Sequence, residues 1–277
     1  PVGDNGLKMV RAEARPISAD DGLQDIERET RAWLNEQAGL RGQLDNYAGE
    51  ALSDGSLYQP DPQLHQRLDL FADYVATVRR FVDIAAISAG LSARRASGRP
   101  LKVVVNGGNG CAGPVFDAIA EGLDWDVTRL FHTPDGQFPN GVPNPMLARC
   151  QEQTAEAVRA AGADLGIAWD GDFDRCFFFD ETGAFIEGYY LVGLLGAQLL
   201  HHAPGGTVIY DTRMTWNTIA QVEAAGGVAT VSKCGHSFIK AALRQTGAVY
   251  GGEMSAHHYF RDFFNCDSGM IPWLLLL

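Results

Sequence analysis

Residues 165–179 read LGIAWDGDFDRCFFF. Two short apolar runs, 165–169 and 176–180, flank six residues rich in Asp. Apolar runs of this length, bounded by turn signals, suit buried strands. The stretch is therefore strand, acidic loop, strand. Upstream, LKVVV (101–105) is a β-branched run between Pro100 and a Gly-rich turn, expected as a buried parallel strand. A helix is predicted over 114–121 and a strand over 125–131. The loop HTPDGQFPNGVPNP (132–145) follows, then a helix over 146–161. Downstream a second cycle begins with a helix over 189–200, the strand TVIYD (207–211) and a helix over 215–225. It continues with the strand VATVS (228–232), a helix over 238–245, a strand over 248–253 and a final loop. Helix–strand alternation with short turns gives an α/β layered fold. The two cycles are too different in sequence to be read as a repeat.

The amino-terminal part is less regular. A short strand is expected at 7–10 and a helix from Asp20 or Asp21, with Leu23, Ile26 and Trp33 as its spaced apolar positions. A polar, Gly-rich excursion spans 39–62. Asp61-Pro62 then opens a helix with Leu64, Leu68, Phe71, Val75 and Val78 on one stripe.

The chain has 277 residues, about two domains' worth. At 46% hydrophobic and 20% charged it is too apolar for a disordered protein. Lys and Arg number 22 against 34 Asp and Glu, a net charge of -12. Phosphate backbones and anionic lipid would be repelled, so neither nucleic acid nor a membrane is an expected partner. The five cysteines never form a C-x-x-C pair, which argues against a disulfide framework and structural zinc. A reducing cytoplasm is the expected compartment. No apolar run approaches the ~20 residues of a spanning helix. The chain opens at Pro1 without Met and stops in IPWLLLL (271–277), so it reads as a fragment cut at both ends.

Four motifs carry chemistry. In DGDFDR (170–175), Asp170, Asp172 and Asp174 alternate directly after a strand. In an extended loop all three would point the same way, and their repulsion calls for a cation. All-oxygen donors favour Mg²⁺ or Mn²⁺, and three protein ligands leave positions for a phosphate oxygen. The competing reading is a solvated acidic turn, disfavoured by the apolar flanks. An EF-hand loop would need Gly where Arg175 stands. GNGCAG (108–113) matches G-x-G-x-x-G, but the next strand ends without the acidic residue that a dinucleotide site wants, so a tight structural turn is favoured over a nicotinamide site. Arg213, Lys233 and His236 follow two strands and could form an anion site; a structural His236 is the alternative. In GGEMSAHH (251–258), Glu253 and Ser255 could grip a sugar diol, or Glu253 could be a buried structural carboxylate.

Together these pieces resemble the α-D-phosphohexomutase family, closest to its bacterial phosphomannomutase branch. The likeness spans DGDFDR as the metal loop, KCGHSFIK (233–240) as the specificity loop, GGEMS (251–255) as the sugar loop, and NGLKMV (5–10) as the segment after the phosphoserine. The resemblance implies successive α/β domains, with the first incomplete (1–80), the second holding the metal loop (81–185), the third holding the sugar loop (186–277) and the fourth absent. It implies Mg²⁺ on Asp170, Asp172 and Asp174, with Arg175 beside them and Lys8 as a proton-transfer group. It places Glu253 and Ser255 on sugar hydroxyls, and His236, Lys233 and Arg213 on the substrate. The catalytic serine would lie just ahead of Pro1. The implied reaction interconverts mannose 6-phosphate and mannose 1-phosphate through a phosphoserine and a hexose 1,6-bisphosphate, feeding GDP-mannose and polysaccharide synthesis. Phosphoglucomutase activity and a non-catalytic metal- and sugar-phosphate-binding fragment are the alternatives. Oligomeric state is not legible.

Overall fold

The computed structural model describes residues 10–12, 15–17, 22–36 and 68–277. The strand expected to start at 7, the excursion at 39–62, the helix opening at 61–62 and Lys8 lie outside them, wholly or in part. The described amino-terminal elements are β1 (Val10–Arg11), its antiparallel partner β2 (Arg15–Pro16) and the helix Leu23–Glu36.

Two five-stranded sheets follow. The first contains β3 (Lys102–Asn106), β4 (Asp126–Leu130), β5 (Leu165–Trp169), β6 (Cys176–Phe179) and β7 (Phe185–Ile186), in the order β4-β3-β5-β6-β7. The second contains β8 (Thr207–Asp211), β9 (Val228–Ser232), β10 (Tyr250–Gly252), β11 (His258–Phe260) and β12 (Cys266–Asp267), in the order β12-β11-β10-β8-β9. In each, three parallel strands are extended by two antiparallel ones. Strand for strand the topology is the same, so the two cycles repeat in architecture even though their sequences differ. β3 is buried on both faces through Val103, Val104 and Val105, as a central parallel strand must be.

The helices Ala112–Ala120, Ala148–Ala161, Gly188–Leu200, Trp216–Ala224 and His236–Thr246 match the predicted ones to within a few residues. Two of them stop at glycines in the left-handed region, Gly162 (φ 55°) and Gly247 (φ 68°). Three expectations are corrected, and one unpredicted helix is added. The helix with the Val75 and Val78 stripe starts only at Phe71, and Leu68 stays exposed outside it. A separate helix, Ile84–Ala96, follows, capped by the Asp83 carboxylate accepting from the Ala86 amide at 3.0 Å. The final loop is the hairpin β11–β12. His236 is the first residue of its helix and not part of the preceding loop.

One apolar core runs between the sheets. The short helix Ile271–Leu276, which follows the second sheet, sends Trp273 into the first half. Its ring lies 5.1 Å from Phe116 and stacks on Trp125 at 5.8 Å. Trp169 donates from Nε1 to the Gly269 carbonyl at 2.8 Å. Among the described residues no helix is long and apolar enough to cross a membrane.

Candidate active site

The acidic loop leaves the carboxyl end of β5. It is a turn and not the extended segment its alternation suggested: Phe173 takes φ 52° and its amide donates to the Asp170 carbonyl at 3.2 Å. The curl still brings Asp170, Asp172 and Asp174 together, with ligand oxygens within 4.8 Å of one another. Asp170 is buried, Asp174 half-buried and Asp172 exposed. Arg175 donates from Nε to Asp170 Oδ2 at 2.7 Å and from its backbone nitrogen to Oδ1 at 3.3 Å. Even so, burial, reinforced by Asp174 and Asp172, pushes the Asp170 carboxyl up to about 6. A buried acid left short of positive charge, with two carboxylates converging on it, is a donor set that fits a hard divalent cation.

The Gly-rich turn after β3 serves this loop. The Cys111 amide donates to the Gly171 carbonyl at 3.0 Å, and a Cβ on Gly110 would stand 2.5 Å from that oxygen. Only glycine permits so close an approach. GNGCAG therefore packs the acidic loop, in line with the structural reading of its glycines.

The second loop leaves the carboxyl end of β10. Glu253 is buried, and both its oxygens have protein partners. The Gly235 amide donates to Oε1 at 2.6 Å, and the Tyr259 hydroxyl donates to Oε2. Burial and this carboxylate raise the Tyr259 phenol far above its ordinary value, so it stays protonated as a donor. Each Glu253 oxygen keeps a further acceptor site.

The two loops meet. Arg175 and His257 pair as an isolated antiparallel bridge, and the Cys176 amide donates to the Ala256 carbonyl at 3.3 Å. His257 stands between the acids, with Nε2 3.5 Å from Asp174 Oδ1 and Nδ1 3.6 Å from Glu253 Oε2. Its Nδ1 also lies 3.1 Å from Ser255 Oγ. Asp267 joins Asp174 and His257 and pairs with Lys240 Nζ at 2.7 Å. Sequence reading missed His257, Asp267 and Lys240. The only available signal was the pair His257-His258, in which alternation sends one ring to the cleft and buries the other.

The basic group is more dispersed. Arg213 follows β8 and its guanidinium is clamped by the buried Asp211. Burial alone would raise the Asp211 carboxyl, but Arg213 and the Met254 amide hold it below its usual value. Lys233 is exposed, with Nζ 5.1 Å from the centre of the Phe238 ring. His236 opens its helix beside Gly235 (φ 113°), the residue that reaches Glu253. The structure thus gathers Asp170, Asp172, Asp174 and Arg175 in one cluster and links Glu253 and Ser255 to it through His257. A groove of about 710 Å³, lined by Thr77, Arg80, Leu199, His202 and Arg261, lies apart from these residues.

Comparison with known proteins points the same way. Residues 79–183 match the family described as phosphoglucomutase/phosphomannomutase, alpha/beta/alpha domain II, and residues 187–277 match its domain III. The whole chain is 50% identical over 276 residues to a protein named phosphohexose mutases from Xanthomonas campestris, covering 54% of it. It is 46% identical over 285 residues to a phosphomannomutase of Escherichia coli K12, covering 55% of that protein. The chain therefore spans about half the length of these relatives. A phosphoglucomutase/phosphomannomutase family protein from Burkholderia thailandensis superposes with a TM-score of 0.66 at 33% identity, over 76% of this chain and 44% of that one. Two consecutive domain matches, each centred on one of the two sheets and each holding one of the two joined loops, place this chain in the phosphoglucomutase/phosphomannomutase family.

Proposed function

We propose that this chain supplies the metal-binding and sugar-binding parts of a phosphohexomutase site, and that the enzyme interconverts mannose 6-phosphate and mannose 1-phosphate. The observation that carries the reading is the join of the two loops, with His257 between Asp174 and Glu253. On this reading a cation site lies beside a hydroxyl-binding site, as a phosphorylated sugar requires.

Asp170, Asp172 and Asp174 would hold Mg²⁺, which when bound supplies charge neutralisation at a transferring phosphoryl group. Arg175 keeps the Asp170 carboxylate oriented. Glu253 and Ser255 would accept from and donate to adjacent hydroxyls, while Arg213, Lys233 and His236 would meet the distal phosphate. Lys8 is assigned proton transfer by resemblance, and the phosphoserine is expected ahead of Pro1. Hexose 1,6-bisphosphate would serve as intermediate and activator. All five cysteines are free, in keeping with a reducing cytoplasm.

The choice of mannose rests on the phosphomannomutase relatives. A carboxylate gripping the hydroxyls at carbons 3 and 4 cannot sense carbon 2, where mannose and glucose differ, so the glucose pair should be accepted as well. The test is ³¹P NMR of mannose 6-phosphate and, separately, glucose 6-phosphate with Mg²⁺ and a trace of hexose 1,6-bisphosphate, using the full-length enzyme. Growth of a mannose 1-phosphate signal is expected. Conversion of neither sugar pair would overturn the reading, and a clear preference for glucose would overturn its substrate.

A further inference from the structure

Asp211 ends β8 with its carboxylate buried, and it accepts four hydrogen bonds. Oδ1 takes them from the Arg213 amide at 2.8 Å and Arg213 Nε at 3.1 Å. Oδ2 takes them from Arg213 Nη2 at 2.6 Å and the Met254 amide at 2.8 Å. The donors come from two loops, one after β8 and one after β10, and Met254 lies 43 residues beyond Asp211 in sequence. The parallel pairing of Tyr210 with Gly252 brings them side by side. A carboxylate has about four acceptor sites, and all four are used. Asp211 can therefore act on a ligand only through the groups it holds. The corresponding residue of the first sheet, Asn106, is engaged differently. Its Oδ1 accepts from the Gly108 amide and its Nδ2 donates to Thr154, so it spans no pair of loops at the cleft.

We propose that Asp211 is a positioning residue that locks the Arg213 guanidinium and the 253–255 loop into one unit, setting the spacing at which the site accepts an anionic group and a pair of hydroxyls on the same ligand. The forked contact fixes the plane of the guanidinium, which a lysine could not match. The bond to Met254 fixes the backbone between Glu253 and Ser255. Preset spacing lets a ligand carrying both groups bind without ordering the two loops first. The proposal rests on the sugar-phosphate reading above.

The test uses Asp211→Asn, which keeps the shape and removes the charge. Binding of mannose 6-phosphate and of inorganic phosphate is measured by calorimetry on this chain. Mannose 6-phosphate affinity should fall about ten- to thirtyfold, while inorganic phosphate, which needs only the anion contact, should change less than about threefold. A purely structural role would move both ligands together or neither, and either result overturns the proposal. Hydrogen exchange provides a readout that needs no ligand. The Met254 amide and Arg213 Nε–H should lose protection together in the variant, while the β10–β11 ladder keeps its own. Unchanged protection of Met254 overturns the coupling. If the wild-type chain binds no hexose phosphate, the functional reading falls, and the exchange data still decide whether Asp211 joins the two loops. If the variant loses the ladder, Arg213→Lys takes its place and should likewise weaken mannose 6-phosphate more than inorganic phosphate; equal losses overturn the proposal.

Discussion

The loops 170–175 and 253–257 leave corresponding strands of two sheets with one strand order, yet they solve the same local problem in opposite ways. Each begins with a buried acid directly after the strand, Asp170 in one and Glu253 in the other. Glu253 has a backbone amide and a phenol as donors. Asp170 has Arg175, but also two further carboxylates within 4.8 Å, and its carboxyl is pushed up to about 6. The Glu253 carboxylate is met by protein donors on both oxygens, whereas the Asp170 carboxylate faces two like charges. On the proposed function, the same scaffold position serves a preformed hydroxyl site in one half and an ion site in the other.

The sharpest way to break this contrast is Asp172→Asn. Asp172 is exposed, so the fold should survive. Mg²⁺ affinity should drop, and turnover of the complete enzyme should fall roughly 10²–10³-fold. Near-normal activity in chelator-treated buffer would leave the acidic loop a solvated turn. The second test is pH. Asp170 titrates above its unfolded value, so its contribution to metal-free stability is fully present below about 4 and is lost as pH rises through about 6. Mg²⁺ competes with that proton, so metal affinity should weaken about tenfold per pH unit below about 6. Melting curves with and without Mg²⁺ across pH 4–8 should therefore diverge as pH rises, and parallel curves would contradict the assignment.

Glu253→Ala should show the other loop's character. It strands the Gly235 amide and the Tyr259 hydroxyl, costing about 1–3 kcal/mol of stability whether or not metal is present. It should also weaken mannose and glucose phosphates alike. An unchanged melting temperature, or an effect on one sugar only, would contradict the contrast. The smallest effects separate the two loops. In Gly110→Ala the new Cβ meets the Gly171 carbonyl at 2.5 Å, and in Gly188→Ala it meets the Met254 carbonyl at 2.9 Å. Each should cost about 1–3 kcal/mol. The first should weaken Mg²⁺ binding and the second hexose phosphate binding, as titration of each variant with both ligands would show.

Much of the fold was legible because parallel strands carry a strong signal. TVIYD and VATVS coincide with β8 and β9 to the residue. β11 and β12 were not legible: three and two residues are too few to display an alternating pattern, and only the pairing of β11 to β10 and of β12 to β11 makes them strands. The shape of the acidic loop was misread because the left-handed Phe173 has no glycine to announce it. The site was legible where its residues are contiguous, as in DGDFDR. It was illegible where it depends on register across the sheet. Nothing in TVIYD marks Asp211 as a partner of Met254, and nothing local places His257 against Asp174.

Trp273 has a consequence for how the chain is made. Its ring completes the packing of Phe116 and Trp125, about 150 residues earlier in the sequence. At ribosomal speeds of 5–20 residues per second, the first half waits roughly 7–30 s for this side chain to be synthesised. During that interval the faces of Phe116 and Trp125 lie open, and the first sheet cannot reach its final stability. The two halves, although each has its own sheet, should therefore mature together and unfold in a single transition. A break in the chain between them would leave an exposed aromatic surface that favours aggregation and chaperone capture.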